Sequence, residues 1–112
     1  MVSKQKKDAG SKTDIPREWI KGFTELYALL YYKAHPGTSG YDLSKYIESE
    51  YGFRISYSKI YPLLDHLNKS GHISMKERSG TYPPKKVYRL TSRGGELIEQ
   101  YRKVFMHFLE GF

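Results

Sequence analysis

Between Ser56 and Thr91 the chain reads SYSKIYPLLDHLNKSGHISMKERSGTYPPKKVYRLT, and the spacing of its apolar residues changes once along the way. Ile60, Leu63, Leu64 and Leu67 fall on one face of a helix, with Ser56 placed to start it and Gly71 offering the left-handed position that closes it. After Gly71 the period becomes two: Ile73 and Met75 alternate with Ser74 and Lys76, and Val87, Tyr88 and Leu90 alternate with Lys86 and Arg89. Two strands follow from this. The intervening Ser79-Gly80-Thr81-Tyr82-Pro83-Pro84 turns easily but pairs poorly, because proline has no amide donor. The segment is therefore predicted to be a helix followed by a long-tipped hairpin. Pro62 stands out within it. It removes the amide bond to Ser58, so the first turns should bend or open, at a cost of up to about 3 kcal/mol.

Upstream, Trp19, Ile20, Phe23, Leu26, Tyr27, Leu30 and Tyr31 give the spacing of an amphipathic helix from Arg17, with Asp14 as its cap, Pro16 in its first turn and His35-Pro36-Gly37 as its end. A second helix is expected from about Ser39 to Glu50, its stripe Tyr41, Leu43, Tyr46 and Ile47, stopped by Gly52. Downstream, Thr91 caps a last helix carrying Leu97, Ile98, Tyr101, Val104, Phe105, Phe108 and Leu109, although Gly94 and Gly95 should each weaken its start by about 1 kcal/mol. Helix, helix, helix, hairpin, helix is the order of a winged helix-turn-helix. The expected fold is thus mainly α with a small β-hairpin (α+β). Residues 14–95 form the winged-helix unit, and residues 96–112 a C-terminal dimerisation helix of the same compact domain.

The 112 residues suffice for one small domain, too little for a multidomain enzyme. Nineteen Lys and Arg against twelve Asp and Glu leave a net charge of +7, which favours polyanions. Lys4, Lys6, Lys7 and Lys12 against Asp8 put +3 of this in residues 1–13, an arm with almost nothing to bury and expected to be disordered when free, leaving +4 for the rest. With no cysteine there is no disulfide and no thiolate nucleophile or zinc ligand. His35, His66, His72 and His107 are scattered away from metal-ligand spacing, and no nucleophile elbow or phosphate loop is present. Neither an enzyme nor a metal or other cofactor is expected. No apolar run approaches the roughly 18 residues of a membrane span, and no apolar signal core follows the amino-terminal lysines. A cytoplasmic protein without a membrane role is the expectation.

Three separated motifs carry a resemblance. Gly40-Tyr41-Asp42-Leu43, then Ile60-Tyr61-Pro62-Leu63-Leu64 with Leu67 and Gly71-His72-Ile73, then Pro84-Lys85-Lys86-Val87-Tyr88-Arg89-Leu90-Thr91 with Gly94, resemble the PadR family of transcriptional regulators over about Leu26 to Gly95. Ser39 stands where many members have His, and the single last helix resembles the short subfamily. The resemblance implies a homodimeric winged-helix repressor that binds double-stranded DNA at palindromic operators, paired through its C-terminal helix, with Pro62 a family feature. Some members release DNA when a small aromatic effector enters the dimer interface, though no short motif assigns that pocket to residues. A sequence-tolerant architectural protein of the nucleoid is the alternative function.

In such a module the third helix enters the major groove and the hairpin follows the backbone or the minor groove. Tyr57, Ser58, Lys59 and Tyr61, early in the third helix, are expected at the groove and the adjacent phosphates, with core or interface packing an equal alternative for Tyr61. Lys76, Arg78, Lys85, Lys86 and Arg89 make the hairpin a basic wing. Tyr82 at its tip either packs on a sugar or shields the turn. A body this small cannot cover the last helix's stripe, so Leu97, Ile98, Tyr101, Val104, Phe105, Phe108 and Leu109 are expected at a dimer interface together with Trp19, Ile20 and Phe23. Trp19 alternatively lines an aromatic effector pocket.

Overall fold

The computed structural model of the chain describes residues 14–16, 18–19, 22–80 and 82–111. Among these residues the elements follow in the order α1 (Thr24–Ala34), α2 (Gly40–Tyr51), α3 (Tyr57–Lys69), β1 (Ile73–Arg78), β2 (Lys85–Leu90) and α4 (Ser92–Glu110). This is the α+β winged helix-turn-helix. The basic arm of residues 1–13 and Ile20 lie outside the described residues.

The helical run expected from Arg17 is broken rather than continuous. Glu18 and Trp19 are helical, the amides of Trp19 and Gly22 bond carbonyls three residues back, on Pro16 and Trp19, each at 3.0 Å, and after a turn at Gly22 and Phe23 the helix α1 starts at Thr24. Glycine disfavours a helix interior, and here a side chain would press to 3.2 Å on the Trp19 carbonyl, so the expected single run from Arg17 is interrupted. The buried face of α1 is also displaced. It is made by Ala28, Leu29, Tyr31 and Tyr32, while Leu26 and Tyr27 are half-buried and Leu30 is exposed. α1 is therefore apolar on two faces, one for the core and one turned toward α4.

Ser39 caps α2 reciprocally: its hydroxyl accepts from the Asp42 amide at 3.1 Å, and the Asp42 carboxylate accepts from the Ser39 amide at 2.9 Å. Gly40, Leu43, Ser44 and Ile47 face inward, so Tyr41 and Tyr46, expected in the apolar stripe, stand exposed instead. α3 buries Ile60, Leu64 and Leu67 and closes in a Schellman motif. The Gly71 amide bonds the Asn68 carbonyl at 3.1 Å, and the His72 amide bonds that of Leu67 at 2.9 Å. Two expectations fail at its start. The Ser56 hydroxyl caps no amide and lies instead 2.9 Å from that of Ser58, and the helix runs unbroken through Pro62. Both Ser58 and Pro62 are exposed, so water can serve the carbonyl that loses its helical donor.

The hairpin is antiparallel, in register from Ile73 opposite Leu90 to Arg78 opposite Lys85. Its alternation breaks at Val87 and Tyr88, both buried, because the α1–α2 loop adds a bridge to β2: the Tyr88 amide bonds the Thr38 carbonyl at 2.9 Å, and the Gly37 amide bonds that of Tyr88 at 2.8 Å. Thr91 then accepts from the Gly94 amide at 3.0 Å and donates to the Gly71 carbonyl at 2.6 Å, tying α4 to the end of α3. Gly94 is no weakness. It is buried, and any Cβ there would strike the His72 carbonyl and the Leu90 side chain.

Candidate nucleic-acid interface

The core face of α3 turns its other side to solvent, and Tyr57, Ser58, Lys59 and Tyr61 are all exposed there. They do not share one direction. Lys59 and Tyr61 are two residues apart, about 200° of helical rotation, so they stand on opposite flanks of a ridge that carries Ser58 and Pro62. Tyr57 bridges to two other rings, its centroid 6.2 Å from that of Tyr41 and 5.9 Å from that of Tyr61. Gly40 allows this row to close up, since a Cβ there would lie 2.9 Å from Tyr61 Cε1. Burial, aided by the nearby Tyr57 and Asp42, raises the Tyr61 phenol above its usual range, so its hydroxyl stays protonated and able to donate.

The wing cations are all exposed but divide between two faces of the hairpin. Directly opposed residues of an antiparallel pair share a face. Lys86, opposite Glu77, therefore lies with Met75 and Tyr88 on the side facing α3, while Arg78, opposite Lys85, shares the other side with Lys76 and Arg89. Arg78 is partly committed: its guanidinium donates to the Gly37 carbonyl at 3.0 Å. Tyr82, 96% exposed, stands clear of the body at the tip.

A cleft of about 590 Å³ separates α3 from the wing, lined by Ser39, Tyr41, Tyr61, Pro83, Pro84, Lys85 and Lys86. On the other flank of α3 a groove of about 360 Å³ is lined by Thr24, Arg54, Ile55, Ser56, Lys59 and Leu63. Tyr41 was expected in the apolar stripe of α2 rather than at this interface, and Arg54 was not singled out from sequence. The signal for Tyr41 was the spacing of Gly40, Leu43, Ser44 and Ile47, which leaves it off the buried face. Arg54, in the loop before α3, gives no comparable signal.

The expected dimer surface is split. Ile98 is 6% exposed and belongs to its own chain's core, and the half-buried Leu97 and Tyr101 pack against that core. Phe105 meets Phe23 edge-to-face at 5.6 Å within the same chain. Trp19, Val104, Phe108 and Leu109 remain exposed, at 62% for Phe108. Among the described residues no three His, Asp or Glu side chains are grouped to hold a metal, and no helix is long and apolar enough to cross a membrane.

A helix-turn-helix followed by a basic wing defines the class of winged-helix proteins. The sequence profile of the transcriptional regulator PadR-like family matches residues 29–100, and the chain belongs to that family. No curated protein matches it. Among solved structures it is similar to a PadR family transcriptional regulator from Eggerthella lenta, at 23% identity and a TM-score of 0.74 over 84% of this chain and 81% of that one. It is also similar to a PadR-like transcription factor from Bacteroides fragilis, at 20% identity and a TM-score of 0.73 over 88% of this chain and 95% of the other. Bacillus subtilis PadR, solved in complex with operator DNA, matches at 30% identity with a TM-score of 0.62; the match covers 70% of this chain and 45% of that one.

Proposed function

We propose that the chain is a sequence-specific transcriptional repressor that binds double-stranded operator DNA as a homodimer. α3 enters the major groove with Tyr57, Ser58, Lys59 and Tyr61 at base edges and adjacent phosphates, and Lys76, Arg78, Lys85, Lys86 and Arg89 hold the wing to the backbone. The observation that carries this is the exposure of the polar start of α3 beside the basic wing, and the operator complex of the Bacillus subtilis relative supports it. Two copies pair through the exposed Trp19, Val104, Phe108 and Leu109, extending the Phe23–Phe105 contact. The apolar groove of about 210 Å³ between Phe23, Leu26, Tyr27, Leu30 and Phe105 would then lie at the interface, open to a small aromatic effector.

The test is footprinting on DNA flanking the protein's own gene, followed by titration of the protected duplex and a random one at fixed salt. A preference of about a thousandfold or more is expected for a regulator. Near-equal affinity would overturn operator recognition in favour of an architectural, sequence-tolerant binder.

A further inference from the structure

A helix lying in the major groove, about 12 Å wide, has a phosphodiester backbone on each side. α3 has a recess edged by cations on each flank: the wing cleft with Tyr61, Lys85 and Lys86, and the opposite groove with Arg54, Ser56 and Lys59. Only the first contains the wing. Arg54 belongs to the turn between α2 and α3, outside the recognition helix, and its side chain is 51% exposed. Glu48 holds it, with Oε1 accepting from Arg54 Nη2 at 3.1 Å and lying 3.9 Å from Lys45 Nζ. Among the described residues Glu48 is the one hydrogen-bond partner of this guanidinium, which has five donors in a planar fork.

We infer that Arg54 is a second phosphate anchor, on the strand across the major groove from the wing, kept extended by Glu48 until a phosphate shares or replaces that carboxylate. The inference rests on the DNA-binding function proposed above. The chemistry favours the exchange. An exposed Arg–carboxylate pair contributes little, so giving it up costs little, whereas a guanidinium matches two phosphate oxygens in one plane. Lys59, on the same flank, adds a second cation, and Ser56, whose hydroxyl lies 2.9 Å from that of Ser58, also lines the recess. Glu48 fixes the direction of Arg54, and its charge opposes the approach of any phosphate to the same guanidinium.

The experiment uses a duplex selected by the wild-type chain from a random-sequence pool, with phosphate-ethylation interference on each strand. Wild type should show interference on both strands across the groove. Arg54→Ala should lose it on one strand only, weaken binding about tenfold and lower the salt slope by about one. Arg54→Lys should recover part of the affinity. Glu48→Gln should strengthen binding to selected and random duplexes alike, with both strands still marked. If Arg54→Ala and Glu48→Gln both keep wild-type affinity and interference on the selected duplex, the Arg54 anchor is overturned while DNA binding stands. A wild-type chain that selects no duplex overturns the DNA-binding function as well.

Discussion

The hydroxyl of Tyr101 on α4 donates a 2.8 Å hydrogen bond to the Glu25 carboxylate on α1, joining the last helix to the first across 76 residues of sequence. Burial, together with this bond and the carboxylate's charge, raises the phenol from the usual 10.0 to about 12. Because the folded state holds the proton more tightly than the unfolded chain, the contribution to stability is complete below pH 10 and is lost as pH rises toward 12. Urea melts at stepped alkaline pH should show stability falling through that window. Tyr101→Phe should lower stability at pH 8 by about 1 kcal/mol and make the alkaline fall shallower. An unchanged midpoint at pH 8 would dismiss the bond as a stabilising contact.

The exposed end of α4 should hold the dimer without holding the fold. Val104 and Phe108 are exposed at 64% and 62%, whereas Phe105 packs on Phe23. Replacing Val104 and Phe108 together by Ser should give a monomer with a cooperative melt, and Phe105→Ser should lower the melting temperature as well. Sedimentation of the wild-type protein as a monomer at high micromolar concentration would refute this surface.

Adjacent glycines at the start of α4 should respond in opposite directions. Gly94→Ala meets backbone at the His72 carbonyl and should destabilise by about 1–3 kcal/mol, while Gly95, with nothing within 4 Å of a Cβ, should gain about 1 kcal/mol as Ala. Thermal melts of the two variants give the comparison directly.

Lys85→Ala and Lys86→Ala should each weaken operator and random duplexes by a similar factor and reduce the salt slope by about one, since phosphate contacts carry no base information. A loss confined to the operator would place these lysines at base edges instead.

The order of elements was legible because each depends on local spacing and punctuation: the change of period at Gly71, the Pro-rich tip and the Thr91 cap all lie within a few residues of what they determine. The start of α1 was not, since a stripe from Trp19 to Tyr31 does not show that Gly22 interrupts it. Exposure within the stripes was legible only in part. Leu30, Tyr41 and Tyr46 are as apolar on paper as Leu29 and Leu43, and which of them is buried depends on the angle at which neighbouring helices cross. Ile98 shows the same limit, because a continuous stripe on α4 gives no mark where the protomer's core ends. Arg78 was placed on the wing correctly, but its bond to Gly37 spans 41 residues and has no local signature.

The wing is braced on both strands, by the bridge from Thr38 to Tyr88 midway along β2 and by the bond from Arg78, at the tip end of β1, to the Gly37 carbonyl. On β2 only Lys85 to Val87 and the tip lie beyond the bridge, so this strand behaves as a short lever with its fulcrum in the α1–α2 loop, and Arg78 ties the opposite strand to the same loop. A rotation of a few degrees at Thr38 is carried to a tip about 10 Å away. DNA would thus meet a wing already aimed, losing little entropy to ordering it, and whatever disturbs Gly37 or Thr38 would change the angle at which the wing approaches the duplex although neither residue is itself a proposed contact.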